Sequence, residues 1–256
     1  MDNAGNIIDF LKNPVTAEYL SYNDSVFRYS VSSISAVCEM LGSSTGKSRT
    51  GTDCHAEIVN CMMSVCCNLM RVAELNTMLA NISSEDEPCY SITDLSDFMK
   101  DFYENCNLAT EKKIRVDFHC DNNIKIKTDE NILTYLMLRF MRNTALNHVG
   151  KVQFELTGKR DGHRAEICLK AETGDNGQDF YSFNEEDFFE KHFSEVNSLF
   201  LDKLGFEIGY GSDFMKITCP LYDGNVNADF RNRNIIYGTE MFSKYNIMLG
   251  DIAGNR

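Results

Sequence analysis

The strongest constraint on how this chain folds is a 3.5-residue apolar repeat in two segments of its N-terminal third. Over residues 26–41, Phe27, Val31, Ile34, Cys38 and Leu41 step by four, three, four and three. Over residues 53–82, Ile58, Met62, Val65, Leu69, Val72 and Leu79 keep the same phase, with Asn76 the polar member of the seam. This is the period of helices packed lengthwise. The second segment carries an adjoining stripe of Val59, Met63, Cys66, Met70 and Ala73. Two helices cannot cover so wide an apolar face, whereas a four-helix bundle can. One hairpin per chain therefore predicts a homodimer; the alternative is a hairpin packed on its own C-terminal domain. The joining loop contains GSSTGKS, but only three residues separate Gly42 from Gly46, and Leu41 stands at the glycine position a phosphate loop requires. The loop also follows a helix, not a strand, so no nucleotide site is expected there.

Composition narrows the function. The chain has 256 residues, 43% hydrophobic and 25% charged, enough to bury a core and unlike a disordered tail. Lys and Arg total 25 against 38 Asp and Glu, a net charge of −13, which argues against nucleic acid as a partner. No signal peptide and no run of ~18–20 apolar residues is present, so neither secretion nor membrane insertion is expected. Most of the ten cysteines, Cys38, Cys61, Cys66, Cys106, Cys120, Cys168 and Cys219 among them, fall on apolar phases and read as small buried hydrophobes. There is no C-x-x-C pair, and Cys54-His55 lacks a second pair at zinc spacing. A reduced, cytoplasmic protein is expected.

Four regions follow: a lead-in at residues 1–24 with a helical piece near Ile7–Leu11, a helical hairpin at 25–84, a second domain at 89–221, and an extension at 222–256. In the second domain Ser91 is expected to open a helix carrying Ile92, Leu95, Phe98, Met99 and Phe102. Ile114, Val116, Phe118 and Cys120 alternate as a strand, with Ile124 and Ile126 as its partner. Residues 131–148 form a helix with Leu133, Leu136, Met137, Phe140 and Met141 inward. Strands around Phe154 and Ile167 follow, then a helix capped by Asn184, then a closing hairpin ending at Pro220. The predicted fold class is α+β: a helical hairpin followed by an α/β sandwich. In the extension, Met241, Phe242, Tyr245, Met248 and Leu249 lie at helical spacing, for packing on the protein's own domain, covering a ligand face or reaching a partner.

This order resembles the core of two-component sensor histidine kinases, a dimerisation and phosphotransfer hairpin followed by an ATP-binding domain of the GHKL (Bergerat) type. The resemblance covers roughly residues 22–221. It is carried best by SITDLSDFMKDFYENCNLATEKKIRVDF and KTDENILTYLMLRFMRNTALNH. It implies that the second stretch is the helix whose Asn side chains hold Mg²⁺ and the triphosphate, with Asp129 opening it. Asn143 falls at the magnesium-binding position, and Arg139 stands where a further Asn is usual. VSSISAVCEML resembles the apolar run after the family's phosphoacceptor, which places the acceptor position on Ser25. A serine cannot form a phosphoramidate. His55 is the alternative acceptor in the hairpin.

The family's Asp-x-Gly-x-Gly turn is matched only loosely by AETGDNG, where Glu172 with Gly174, or Asp175 with Gly177, stand in. The helix that should open with glycines opens instead with Glu185, Glu186, Asp187 and Glu190, which suit a helix N-terminus and repel a triphosphate. The resemblance therefore implies a degenerate member with ATP and Mg²⁺ binding lost. Three functions stay open: a dimeric docking or regulatory module for a response-regulator receiver domain or a true histidine kinase, a histidine phosphotransferase, and an active kinase.

Overall fold

The computed structural model describes residues 14–44, 52–83, 90–110, 114–147, 152–173, 204–211, 213–222, 243–250 and 252. The predicted helical piece near Ile7 and the predicted helix after Asn184 lie outside the described residues. The chain divides into two compact units, one taking in the chain up to Leu75 and the other beginning at Asn76.

Helix α1 spans Pro14–Ser44 and helix α2 spans Thr52–Ser83. Proline opens α1 at the one place where a missing N–H costs nothing, so half of the expected lead-in is helical. In α2 the predicted phase is the buried one: Ile58, Val65 and Val72 are buried, and Met62 and Leu69 half-buried. The seam then steps to Leu75, also buried, in place of Asn76. In α1 the outcome differs. Burial falls on Thr16, Ser30 and Val37, with Tyr19, Asn23, Val26 and Ser33 half-buried between them. Phe27 and Val31, on the predicted phase, are 49% and 62% exposed. Both helices thus carry two heptad seams about 100° apart. An apolar count finds the greasier seam, but which seam a single chain buries depends on what lies opposite.

The second unit carries β1 (Ser91–Asp94), α3 (Leu95–Ala109), β2 (Arg115–Cys120), β3 (Lys125–Thr128), α4 (Glu130–Asn147), β4 (Val152–Asp161), β5 (Arg164–Thr173), β6 (Glu207–Tyr210) and β7 (Phe214–Pro220). Five strands form one sheet in the order β2-β4-β5-β7-β6, parallel between β2 and β4 and antiparallel elsewhere. Two expectations are corrected. Ser91 does not open a helix: Ile92 and Thr93 are extended, and α3 begins only after Asp94, whose side chain accepts from the N–H groups of Ser96 and Asp97. β-Branched residues favour the strand, and the aspartate supplies the cap. The Ile124–Ile126 stretch does not pair with β2 either. β3 pairs antiparallel with β1, in a separate two-stranded sheet.

Inward residues alternate along the strands, with Phe154 and Leu156 on β4 and Ile167 and Leu169 on β5 fully or almost fully buried. Gly158 lets β4 approach α3 closely. A Cβ there would lie 2.7 Å from both Cys120 Sγ and Met99 Sδ.

Helix α4 is buried on every side from Ile132 to Met141. Such a helix needs cover on both faces. Phe140 packs edge-on against Phe154 of the sheet at 6.5 Å. The opposite face is covered by residues 243–250, built round a π-helical turn at Asn246–Gly250. Tyr245 stacks edge-on against Phe102 of α3 at 5.7 Å, and its hydroxyl shares hydrogen bonds with Thr134 and Asn105. Arg142 donates to the Met248 carbonyl at 2.8 Å, and Lys244 Nζ to Asn131 Oδ1 at 3.1 Å. The extension therefore packs on its own domain, as a third layer. Met241 and Phe242 lie outside the described residues.

Among the described cysteines, none of which forms a disulfide, Cys67, Cys106 and Cys219 are buried and Cys66, Cys120 and Cys168 are half-buried, but Cys61 is exposed, against expectation. Burial pushes the Cys219 thiol up to about 12 and raises Cys106 well above its ordinary value.

Two outcomes follow from this packing. Tyr245→Phe should cost about 1 kcal/mol and Leu249→Ala about 2–4 kcal/mol in urea unfolding, from a lost hydrogen bond and a cavity respectively. Raised folded-state thiol pKa values mean the unfolded chain gives up protons first as pH rises. Stability should hold below the unfolded thiol value of about 8.5 and fall above it. Cys106 and Cys219 should resist alkylation in the native state while Cys61 reacts.

Candidate functional site

Each candidate residue takes its surroundings from the element that carries it. Asp129 precedes α4 and is 8% exposed. Its Oδ1 accepts from the backbone N–H of Asn131 at 2.9 Å and of Ile132 at 3.3 Å, so it caps the helix.

Along α4, successive residues turn by about 100°. Taking Phe140, which meets the sheet, as the origin, Asn131 and Arg142 lie about 160–180° away, where the C-terminal segment packs. Ile132, Leu136, Arg139 and Asn143 fall together on one flank, within about 60° of each other. The C-terminal segment thus covers the outer face of α4 and leaves the flank of Asn143 to other parts of the chain. On that flank Ile132 is 5% exposed, Leu136 fully buried and Arg139 4% exposed, while Asn143 is half-buried.

A guanidinium buried so far stays ionised and must be held by partners; Arg139 does engage in such interactions. It sits one helical turn from Asn143, a spacing at which Cβ atoms are about 5–6 Å apart. Mg²⁺ wants an octahedron of oxygens. The rest of the flank is aliphatic, and no cluster of three or more His, Cys, Asp or Glu suited to a metal exists among the described residues. The described residues of this flank do not supply the oxygen donors that a magnesium–triphosphate group needs.

Glu172 lies near the end of β5. Ala165, Ile167, Leu169 and Ala171 are buried beneath the helices, so Glu172, exposed and of opposite parity, faces the other side of the sheet. Asn143 and Glu172 are not brought to one side. Gly174 lies outside the described residues, as do Asp175, Gly177 and the glutamates at residues 185–190.

On α1, Ser25 is exposed, away from both seams, and its Oγ donates to the Ser21 carbonyl at 2.9 Å. Asp24 and Arg28 flank it as an exposed i,i+4 ion pair at 2.6 Å, which raises the guanidinium pKa. His55 lies in the first turn of α2, and its side chain is outside the described residues. His119 and His163 are exposed on a strand and at a turn. Sequence reasoning noted Arg139 as a replacement but missed its burial. The signal was available: in Leu136-Met137-Leu138-Arg139-Phe140-Met141 the arginine is the one polar residue of an apolar run.

No protein-family model matches the sequence, and no curated protein matches it either. Solved structures do. The histidine kinase AdeS of Acinetobacter baumannii aligns with a TM-score of 0.50 and 13% identity, over 75% of this chain and 96% of that one. The histidine kinase ThkA, in its complex with the response regulator TrrA, aligns with a TM-score of 0.55 and 11% identity, over 86% of this chain and 64% of that one. The chain has the α+β fold of the histidine-kinase core. None of its described helices is long and apolar enough to cross a membrane.

If Asp129 is a cap, Asp129→Ala should lower stability by about 1–2 kcal/mol in denaturant melts and Asp129→Asn by only a few tenths. Equal losses from the two would argue for a role of the charge itself.

Proposed function

We propose that this chain is a histidine-kinase-like two-component signalling module that works as a dimeric docking or regulatory unit without ATP-dependent kinase activity of its own. The closed flank of α4 carries this reading. Where the resemblance calls for an open polar face around Asn143, the chain has two aliphatic side chains and a buried arginine. The acceptor position supports it from the other side, because Ser25 has the exposure of a phosphoacceptor but no imidazole nitrogen.

The second copy is supported by the seams. Each helix of a four-helix bundle touches two neighbours at roughly right angles, and α1 and α2 each carry two heptad stripes at about that angle. Leu20, Phe27 and Val31 on α1, and Val59 and Met70 on α2, are large apolar side chains left 37–62% exposed in the single chain. A second hairpin would cover them. The partner reading rests on the fold: ThkA, which shares it, has been seen with a response regulator.

The decisive experiment offers the full chain radiolabelled ATP and, separately, a phosphorylated receiver domain. No label from either, with dimerisation intact, is the expected result. Label from ATP would overturn the proposal in favour of an active kinase. Label from the receiver alone, lost in His55→Ala, would replace it with a phosphotransferase. In sedimentation, Phe27→Asp combined with Val31→Asp should convert a dimer to a monomer at unchanged helix content, and a wild-type monomer would sink the dimer.

A further inference from the structure

We infer that Met63, Cys66, Cys67 and Met70 on α2 form a binding site for one soft monovalent metal ion, Cu(I). The inference is independent of the kinase reading, because all four ligands come from one helix of one chain. Six of the ten residues from Cys61 to Met70 carry sulfur. Four of them make the symmetrical pattern Met-x-x-Cys-Cys-x-x-Met, in which each cysteine has one methionine three residues away and the other four residues away. At about 100° per residue these four fall within an arc of about 100° on α2, and Cys61 lies on the opposite side of the helix. Cβ atoms at three- and four-residue spacing are about 5–6 Å apart, and methionine adds three rotatable bonds with which to bring its thioether to either cysteine.

Burial leaves this stripe a way in. Cys67 is buried, Met63 and Cys66 are half-buried, and Met70 is 37% exposed. Neither cysteine forms a disulfide. Cys106 Sγ and Met141 Sδ, 4.0 Å apart, also pair a thiol with a thioether, but both residues are sealed in the core of the second unit and serve packing. On α2, packing asks only for apolar volume, which leucine or valine would supply; two thiols set between two thioethers supply donors as well. The donor set then selects the metal. Thiolate and thioether are soft ligands and suit Cu(I). Mg²⁺ and Ca²⁺ need oxygen, and structural Zn²⁺ takes four donors from Cys, His and carboxylate. No group of three or more His, Cys, Asp or Glu suited to such ions exists among the described residues. Each cysteine that binds the ion releases its thiol proton to solvent, so thiolate balances the charge of the metal.

The test titrates the reduced full chain with Cu(I), in the absence of oxygen, against the chromogenic Cu(I) chelator bathocuproine disulfonate. The wild type should withhold one Cu(I) per chain from the chelator, and X-ray absorption at the copper edge should show sulfur neighbours alone. Cys66→Ser combined with Cys67→Ser should lose that ion. Met63→Leu combined with Met70→Leu, which keeps the apolar volume and all ten cysteines, should weaken its hold by roughly tenfold or more. Cys61→Ser, which removes an exposed thiol on the far side of the same helix, should leave the hold unchanged. Should the serine pair yield no folded protein, the leucine pair carries the comparison. No ion withheld by the wild type, or nitrogen or oxygen neighbours around the copper, would overturn the inference. So would an ion held undiminished by the serine pair or by the leucine pair, or one lost in Cys61→Ser.

Discussion

Phe140 against Phe154 beneath α4, and Tyr245 against Thr134 and Asn105 above it, hold a helix that has almost no solvent face. The rest of the sandwich is organised around that double burial. The sheet supplies one cover, with Leu156, Ile167 and Leu169 forming a continuous apolar floor. The 243–250 segment supplies the other, and its polar contacts pin the layer in register: one at Asn131, one at Thr134 and one at Arg142, all on the outward side of the helix. A two-layer sandwich would leave that face to water. Here the chain adds a third layer, and the helix can be apolar nearly all round.

The same helix decides the chemistry. Its outer face is taken by the C-terminal segment and its inner face by the sheet. On the flank of Ile132, Leu136, Arg139 and Asn143, the first three are buried and Asn143 is half-buried. The fold of a histidine-kinase core is kept, and on the proposed reading this flank of α4 serves as packing.

Much of this was legible in the sequence. The two long helices follow from their heptads, the strands from period-two alternation, and α4 from its apolar run. Three features were not. The short strand β1 was hidden because Ile92, Leu95 and Phe98 also satisfy a helical spacing; only the capping geometry of Asp94 separates the two. The pairing of β3 with β1 instead of β2 is a choice among partners, which a local pattern does not encode. The buried seam of α1 is the clearest case. Thr16 and Ser30 look like a solvent face, yet they are buried, because which stripe a helix buries depends on what lies opposite it and not on which stripe is more apolar. The site was legible as a list of substitutions, Ser25 and Arg139 above all. It was not legible as geometry, since nothing local says that Glu172 and Asn143 face opposite sides of a sheet.

The third layer also sets an order of events during synthesis. Arg142 and the Met248 carbonyl that it contacts are 106 positions apart. At about 5–20 residues per second, the ribosome needs roughly 5–20 s to make the intervening chain. Throughout that interval the outward face of α4, with Leu138 and Ala145 on it, has been made and has nothing to lie against. The nascent sandwich is therefore a transient holder of exposed apolar surface, open to chaperones or to neighbouring nascent chains, until its last layer arrives.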